Sequence, residues 1–392
     1  MAPQRYTGVS RASRLVGLGR RAASGLMAAT LAALAATAHA DADPIVAERS
    51  ATVLPGSGHS WGFAALAQDG RHVLLARREN GLTIWDAARR EALPDIPGTE
   101  GANAAVAVPA ADRLYVAAMD GSVIVIRASD RQVLKRVPVD SGNLNNALFD
   151  PASGQVLLTS GRRGAVSRVY RLDPACDCVR ASLDLPAAKL DAPVLLGPGR
   201  IALPMRDEGR IAVIDLRRMA LLQVWQPPQC ARPSALAADA AGKRLFVACR
   251  GATPRLLSLD AQSGAVLASA PAGRDINALA YDDRRGWLLA PSGADARLSI
   301  YDVSAPAGLR RVASIGTRPW AHNMAYDADR GIAYLPSMDD TEVYPAGGGE
   351  AQRHFAADSF TLTTLRLQAP QRHGVERQAD QRQRDQGQEV RP

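Results

Sequence analysis

The 392-residue sequence is poor in aromatic side chains, which make up 5% of it. A stacked-ring platform for single-stranded nucleic acid has little to be built from. Lysine is almost missing: Lys135, Lys189 and Lys243 are the only ones beside a large set of arginines. Those arginines are spread along the chain rather than clustered, a pattern of genome composition more than of function. The formal charge of +8 sits mainly at the ends, since residues 1–40 hold Arg5, Arg11, Arg14, Arg20 and Arg21 with no acid. The body between the ends is nearly balanced. Phosphate recognition needs clustered cations, so nucleic acid is not an expected partner. No His-Glu-x-x-His or phosphate-loop motif occurs, so no catalytic residue is assigned, no metal is expected, and no cofactor is required by the sequence.

Long apolar runs are missing too, apart from Gly25 to Ala38. That run follows the basic pair Arg20-Arg21 and closes on Ala38-His39-Ala40 before Asp41. A basic region, a short apolar core and a small-x-small site describe a secretory signal cleaved after Ala40. The core is shorter than the ~20 residues that cross a bilayer, so a cleaved leader is expected rather than an anchor. The expected organisation is a signal peptide over 1–40, a folded body over 41–369 and a disordered polar tail over 370–392. The tail is Gln, Arg, Asp, Glu and Gly with almost nothing apolar to bury. Export predicts a periplasmic or secreted protein, monomeric, with no membrane span in the mature chain.

Four cysteines are an even number for an oxidising compartment. Cys230 precedes one predicted strand and Cys249 ends the next. In an antiparallel pair those ends lie side by side, which predicts a 230–249 disulfide. Cys176 and Cys178 are then left for each other. A zinc site is the poorer reading, because Cys-x-Cys lacks the usual spacer and has no histidine near it.

What is present is a repeat. Short apolar stretches recur about every 40 to 45 residues. They are Ala65-Leu66-Ala67, Ala105-Val106-Ala107, Ala147-Leu148-Phe149, Pro193 to Leu196, Ala235-Leu236-Ala237, Ala278-Leu279-Ala280 and Met324-Ala325-Tyr326. Each is followed by a second stretch, such as Leu114-Tyr115-Val116 or Leu245-Phe246-Val247. A third alternates and ends in Asp, as in Leu82 to Asp86, Ile211 to Asp215 and Leu298 to Asp302. A fourth is looser. Period-two alternation broken by Gly, Asp, Asn and Pro marks strands. Four strands per unit and seven units predict an all-β, seven-bladed β-propeller of four-stranded antiparallel blades. Val46 to Leu54 reads as the fourth strand of the last blade, pairing outside Thr341 to Tyr344. Phe360 to Leu367 is the rival for that closure.

Leu114-Tyr115-Val116-Ala117-Ala118 with Asp120-Gly121, Leu245-Phe246-Val247-Ala248-Cys249, and Asn277 to Asp282 followed by Trp287 to Ala290 resemble the YVTN-type repeat. Residues 45 to about 345 are thus similar to the YVTN/YncE-like bacterial propeller proteins. That resemblance implies a periplasmic propeller.

In a propeller the inner strands line a central channel, and residues at their starts ring one mouth. These positions carry His59 and Trp61, Asn103, Asn145 and Asn146, Arg232 and Ser234, Asp275 and Asn277, and Arg318, Trp320 and His322. They form the predicted site for a small ligand or an exported protein partner. Hydrogen bonding between blades would account for them equally. The leading expectation is an exported, non-enzymatic binding or scaffold protein. The alternative is an enzyme or enzyme subunit, either a lactonase-like hydrolase or a quinoprotein or haem d1-type oxidoreductase component.

Overall fold

The computed structural model describes residues 45–161, 164–239, 241, 243–344 and 352–369. The expected signal peptide and the polar tail lie outside the described residues. The body is the expected propeller. Its seven four-stranded antiparallel sheets are arranged as blades, and the inner strands run in chain order around one axis. Blade 2 shows the plan: Ala102–Val108, Arg113–Ala118, Ser122–Arg127 and Val133–Pro138, each hydrogen-bonded to the next. The second and third strands are buried on both faces, so their alternation is muted; the fourth reads half exposed. Middle strands are pressed between neighbouring blades, whereas the outermost meets water on its far side.

The core is divided accordingly. Seven apolar clusters each join two successive blades. Leu74 and Ile84 of blade 1 pack with Val116 and Ile124 of blade 2 in one of them. Each fully buried Leu or Ile contributes about 1.5–3 kcal/mol. A blade alone would expose both faces, so stability belongs to the stack.

Closure corrects the sequence reading. Val46–Val53 is the outer strand of blade 7, but its neighbour is Thr361–Leu367 and not Thr341–Tyr344. Both rival segments are therefore used, side by side, outside Ile332–Ser337. Asp340–Val343 instead pairs with Gln352–Phe355 as a separate hairpin inserted between the second and third strands of that blade. A local alternation pattern marks a strand but not its partner.

Arginine has a structural use at the turns opposite the mouth. Arg171 donates to the Leu216 carbonyl at 2.9 Å, Arg244 to Val303 at 2.7 Å and Arg285 to Ala328 at 2.8 Å. Arg330 does the same to Gly70 across the closure. Each joins one blade to the next. Both expected disulfides form, 230–249 with Cα atoms 5.0 Å apart and 176–178. None of the four cysteines is free. Two disulfides place the protein in an oxidising compartment outside the cytoplasm. Among the described residues no helix is long and apolar enough to cross a membrane.

Candidate functional site

The starts of the inner strands form a hydrogen-bonded ring. Asn103 Nδ2 donates to the Leu144 carbonyl at 3.0 Å, and Asn145 Nδ2 to the Leu190 carbonyl at 2.8 Å. The Ser234 hydroxyl donates to the Ile276 carbonyl at 2.8 Å. Asn277 Nδ2 donates to Asn323 Oδ1 at 2.9 Å, and Asn323 Nδ2 to the Gly62 carbonyl at 2.7 Å. The Phe63 amide donates to the Asn103 carbonyl at 2.8 Å, so blade 1 completes the circuit without an amide side chain. Gly62 is required there because a Cβ would sit 2.0 Å from the Asn103 oxygen. Much of the polarity at these positions therefore joins blades.

Within this ring the turns between second and third strands bring in three arginines that the sequence reading missed. Arg78 comes from blade 1, Arg206 from blade 4 and Arg250 from blade 5. Arg206 and Arg250 both donate to Asn277 Oδ1, at 3.0 and 3.3 Å. Arg206 also pairs with Asp191, and Arg250 with Asp275 at 2.9 Å. Arg78 donates to Asn103 Oδ1 at 3.1 Å. Burial and the nearby Arg206 guanidinium push Arg250 down to about 10. Burial lowers Arg78 as well. The available signal was a basic residue where the second strand ends in three of the seven repeats. Its neighbours, Asp191 and Asn323, stand at the same repeat position as Asn103 and Asn145 and were also passed over.

His322 reaches the same place from the connection between blades 6 and 7. Its ring stacks on Trp61 at 5.4 Å and meets Trp320 edge-on at 6.4 Å. Burial, then Arg250, Arg78 and Arg206, push its pKa down to about 3. Loss of solvation and three nearby cations both oppose an added proton. The imidazole is neutral at ordinary pH, and no side-chain hydrogen bond engages it among the described residues.

Other predicted residues lie on the rim. Arg232 pairs with Asp207 at 2.8 Å. Arg318 pairs with Asp339, beside the inserted hairpin. His59 Nδ1 is 2.8 Å from the Phe355 carbonyl. Trp320 donates its indole N–H to Asp340 Oδ2 at 3.0 Å, beneath the Arg353 guanidinium 3.5 Å from its ring centre. Phe355 meets Trp61 edge-on at 4.9 Å. The hairpin thus roofs one side of the mouth. Asn146 faces inward, into a cavity of about 170 Å³ on the channel axis.

Gly58-His59-Ser60-Trp61-Gly62 spells the Gly-x-Ser-x-Gly pattern, which the sequence reading overlooked. A nucleophile elbow needs a sharp strand-to-helix turn. Here the segment leads irregularly into a strand, and the Ser60 hydroxyl donates to Glu79 at 2.7 Å. No group of three His, Cys, Asp or Glu side chains suited to a metal occurs among the described residues.

No family model matches the chain, and no curated protein matches it in sequence. Solved structures do match in shape. Kuenenia stuttgartiensis hydrazine synthase aligns with 72% of this chain and 94% of its own, at TM-score 0.62 and 14% identity. U3-55K aligns over 81% of this chain and 98% of its own, at 0.65 and 11%. A chain of the mitotic checkpoint complex aligns over 91% and 99%, at 0.64 and 13%. The neighbours are propellers. At these identities the likeness shows the fold alone.

Proposed function

We propose that this is an exported, non-enzymatic propeller of the YVTN/YncE-like kind that holds a ligand or partner at its channel mouth. The observation that carries this reading is the meeting of Arg78, Arg206, Arg250 and a neutral His322, contributed by separate blades, at one end of the channel. Blade stacking alone is served by the asparagine ring and has no need of three like charges held together. Such convergence of polar groups around a concavity is the form of a binding site. The two disulfides support export, and the repeats Leu114 to Gly121 and Leu245 to Cys249 support the family resemblance. Structural neighbours that work inside complexes make a scaffold role compatible with the fold.

The test is a thermal-shift screen of small metabolites on the purified protein, repeated on His322→Ala and Arg250→Gln. Ligands that stabilise the wild type should lose most of that effect in both variants. Ligands that bind all three proteins equally would move the site elsewhere.

The enzymatic alternative draws on His322, whose neutral ring is suited to accept a proton or ligate a cofactor iron. Purified protein with a visible absorption band, or lactone hydrolysis lost in His322→Ala, would favour it.

A further inference from the structure

Resting on the mouth as the functional surface, we propose that the channel beneath it takes a short-chain monocarboxylate. Its carboxylate faces Arg78, Arg206 and Arg250, and its hydrocarbon body lies down the axis. The cavity of about 170 Å³ begins at Asn277, the residue that accepts from both Arg206 and Arg250. Its walls are small and apolar, with Ala65, Ala105, Ala147, Ala235 and Met324 among them. Asn146 and Asn277 are the two polar side chains that line it.

Charge at the mouth calls for an anion. Arg206 has Asp191, which also faces Lys189 at 3.8 Å, and Arg250 has Asp275. Arg78 has only the Asn103 amide oxygen and no ion pair among the described residues. Its neighbour Glu79 turns outward to Ser60. His322 adds no charge, being neutral, so the guanidiniums exceed the carboxylates around them. Like charges held together in a partly desolvated place are stabilised by a counter-ion with oxygens at hydrogen-bonding distance.

The cavity decides the class of anion. A phosphate or sulfate has oxygens on all sides, and those pointing down the axis would find alanine. A monocarboxylate carries both oxygens at one end and hydrocarbon at the other, matching arginines above and alanines below. Asn146 supplies the remaining polar contact. It is 8% exposed and its side chain makes no hydrogen bond among the described residues. A buried amide aimed into a cavity is satisfied by water or by a ligand.

Isothermal titration with butyrate, butyramide and inorganic phosphate tests this on the wild type, Arg78→Gln and Asn146→Ala. Arg78→Lys serves as the charge-retaining control, and circular dichroism checks each fold. Butyrate should bind the wild type, butyramide should not, and Arg78→Gln should weaken butyrate about tenfold or more. Asn146→Ala should weaken it less, and Arg78→Lys should recover part of the loss. No butyrate binding to the folded wild type, or equal binding to Arg78→Gln, overturns the proposal. Phosphate binding that Arg78→Gln abolishes, without butyrate binding, would overturn the carboxylate class yet keep the mouth as the binding surface. Binding of either anion that no mouth variant changes would count against both.

Discussion

Asn323 Nδ2 donates to the Gly62 carbonyl at 2.7 Å and so joins the last blade to the first at the channel mouth. The two residues are 261 positions apart. Asn323 also accepts from Asn277, so one buried side chain links three blades. Asn323→Ala should destabilise the protein by about 1–3 kcal/mol, because it strands a buried donor and a buried carbonyl. A urea titration reads this directly. A midpoint equal to that of the wild type would mean that water replaces the amide without cost.

Gly62→Ala tests the same closure from the other side. The added methyl meets the Asn103 carbonyl, a backbone atom that cannot rotate away. Overpacking of this kind costs about 1–3 kcal/mol or more. The melting temperature should fall further than for alanine at Gly154, which has open space around its missing Cβ but shares a positive φ. Equal effects at both sites would show that the first blade shifts outward readily.

The outer strand Val46–Val53 should be indispensable. Without it Thr361–Leu367 becomes an open strand edge, and Leu54 is lost from the interface between blades 7 and 1. Exposed edges pair with other chains. A form beginning at Pro55 is expected to elute as aggregate in size-exclusion chromatography with light scattering. A stable monomer of that form would make the strand dispensable.

Reduction should act at two places. Cys230 and Cys249 close a loop of nineteen residues, and their replacement by serine should cost about 2–4 kcal/mol. Non-reducing peptide mapping should recover 230–249 and 176–178 crosslinks and no others. The second bridge holds Asp177 between its cysteines with φ +49°, and Asp177 accepts from the buried Tyr115 hydroxyl at 2.5 Å. Opening it should loosen blade 3 from blade 2, seen as faster amide exchange in Val133–Pro138 and Cys178–Leu185.

His322 predicts an acid dependence of defined sign. Its folded pKa, about 3, lies below the ordinary value of 6.5. The unfolded chain therefore binds a proton first. The neutral ring's contribution to stability is complete above about pH 6.5 and is lost as pH falls toward 3, by up to about 1.4 kcal/mol per unit. Between pH 7 and 5 the wild type should lose stability more steeply than His322→Gln. Parallel slopes would mean that the ring gains its proton without cost.

Repeating alternation and turn residues, read locally, were enough for strands, blade number and architecture. A seven-unit stack is the arrangement that buries both faces of such sheets. The 230–249 disulfide followed from the same logic, since neighbouring antiparallel strands bring one start beside one end. The candidate site was legible only in part. Asn103, Asn145 and Asn277 were found because they recur at one repeat position, but their partners are carbonyls of the next blade, about 40 residues away. Arg78, Arg206 and Arg250 look like three surface arginines among many, and only closure around the axis turns them toward each other. The pairing of Val46–Val53 with Thr361–Leu367 was decided the same way. A strand's pattern records which of its faces is buried, whereas its edge partner depends on hydrogen bonds that any alternating segment can offer.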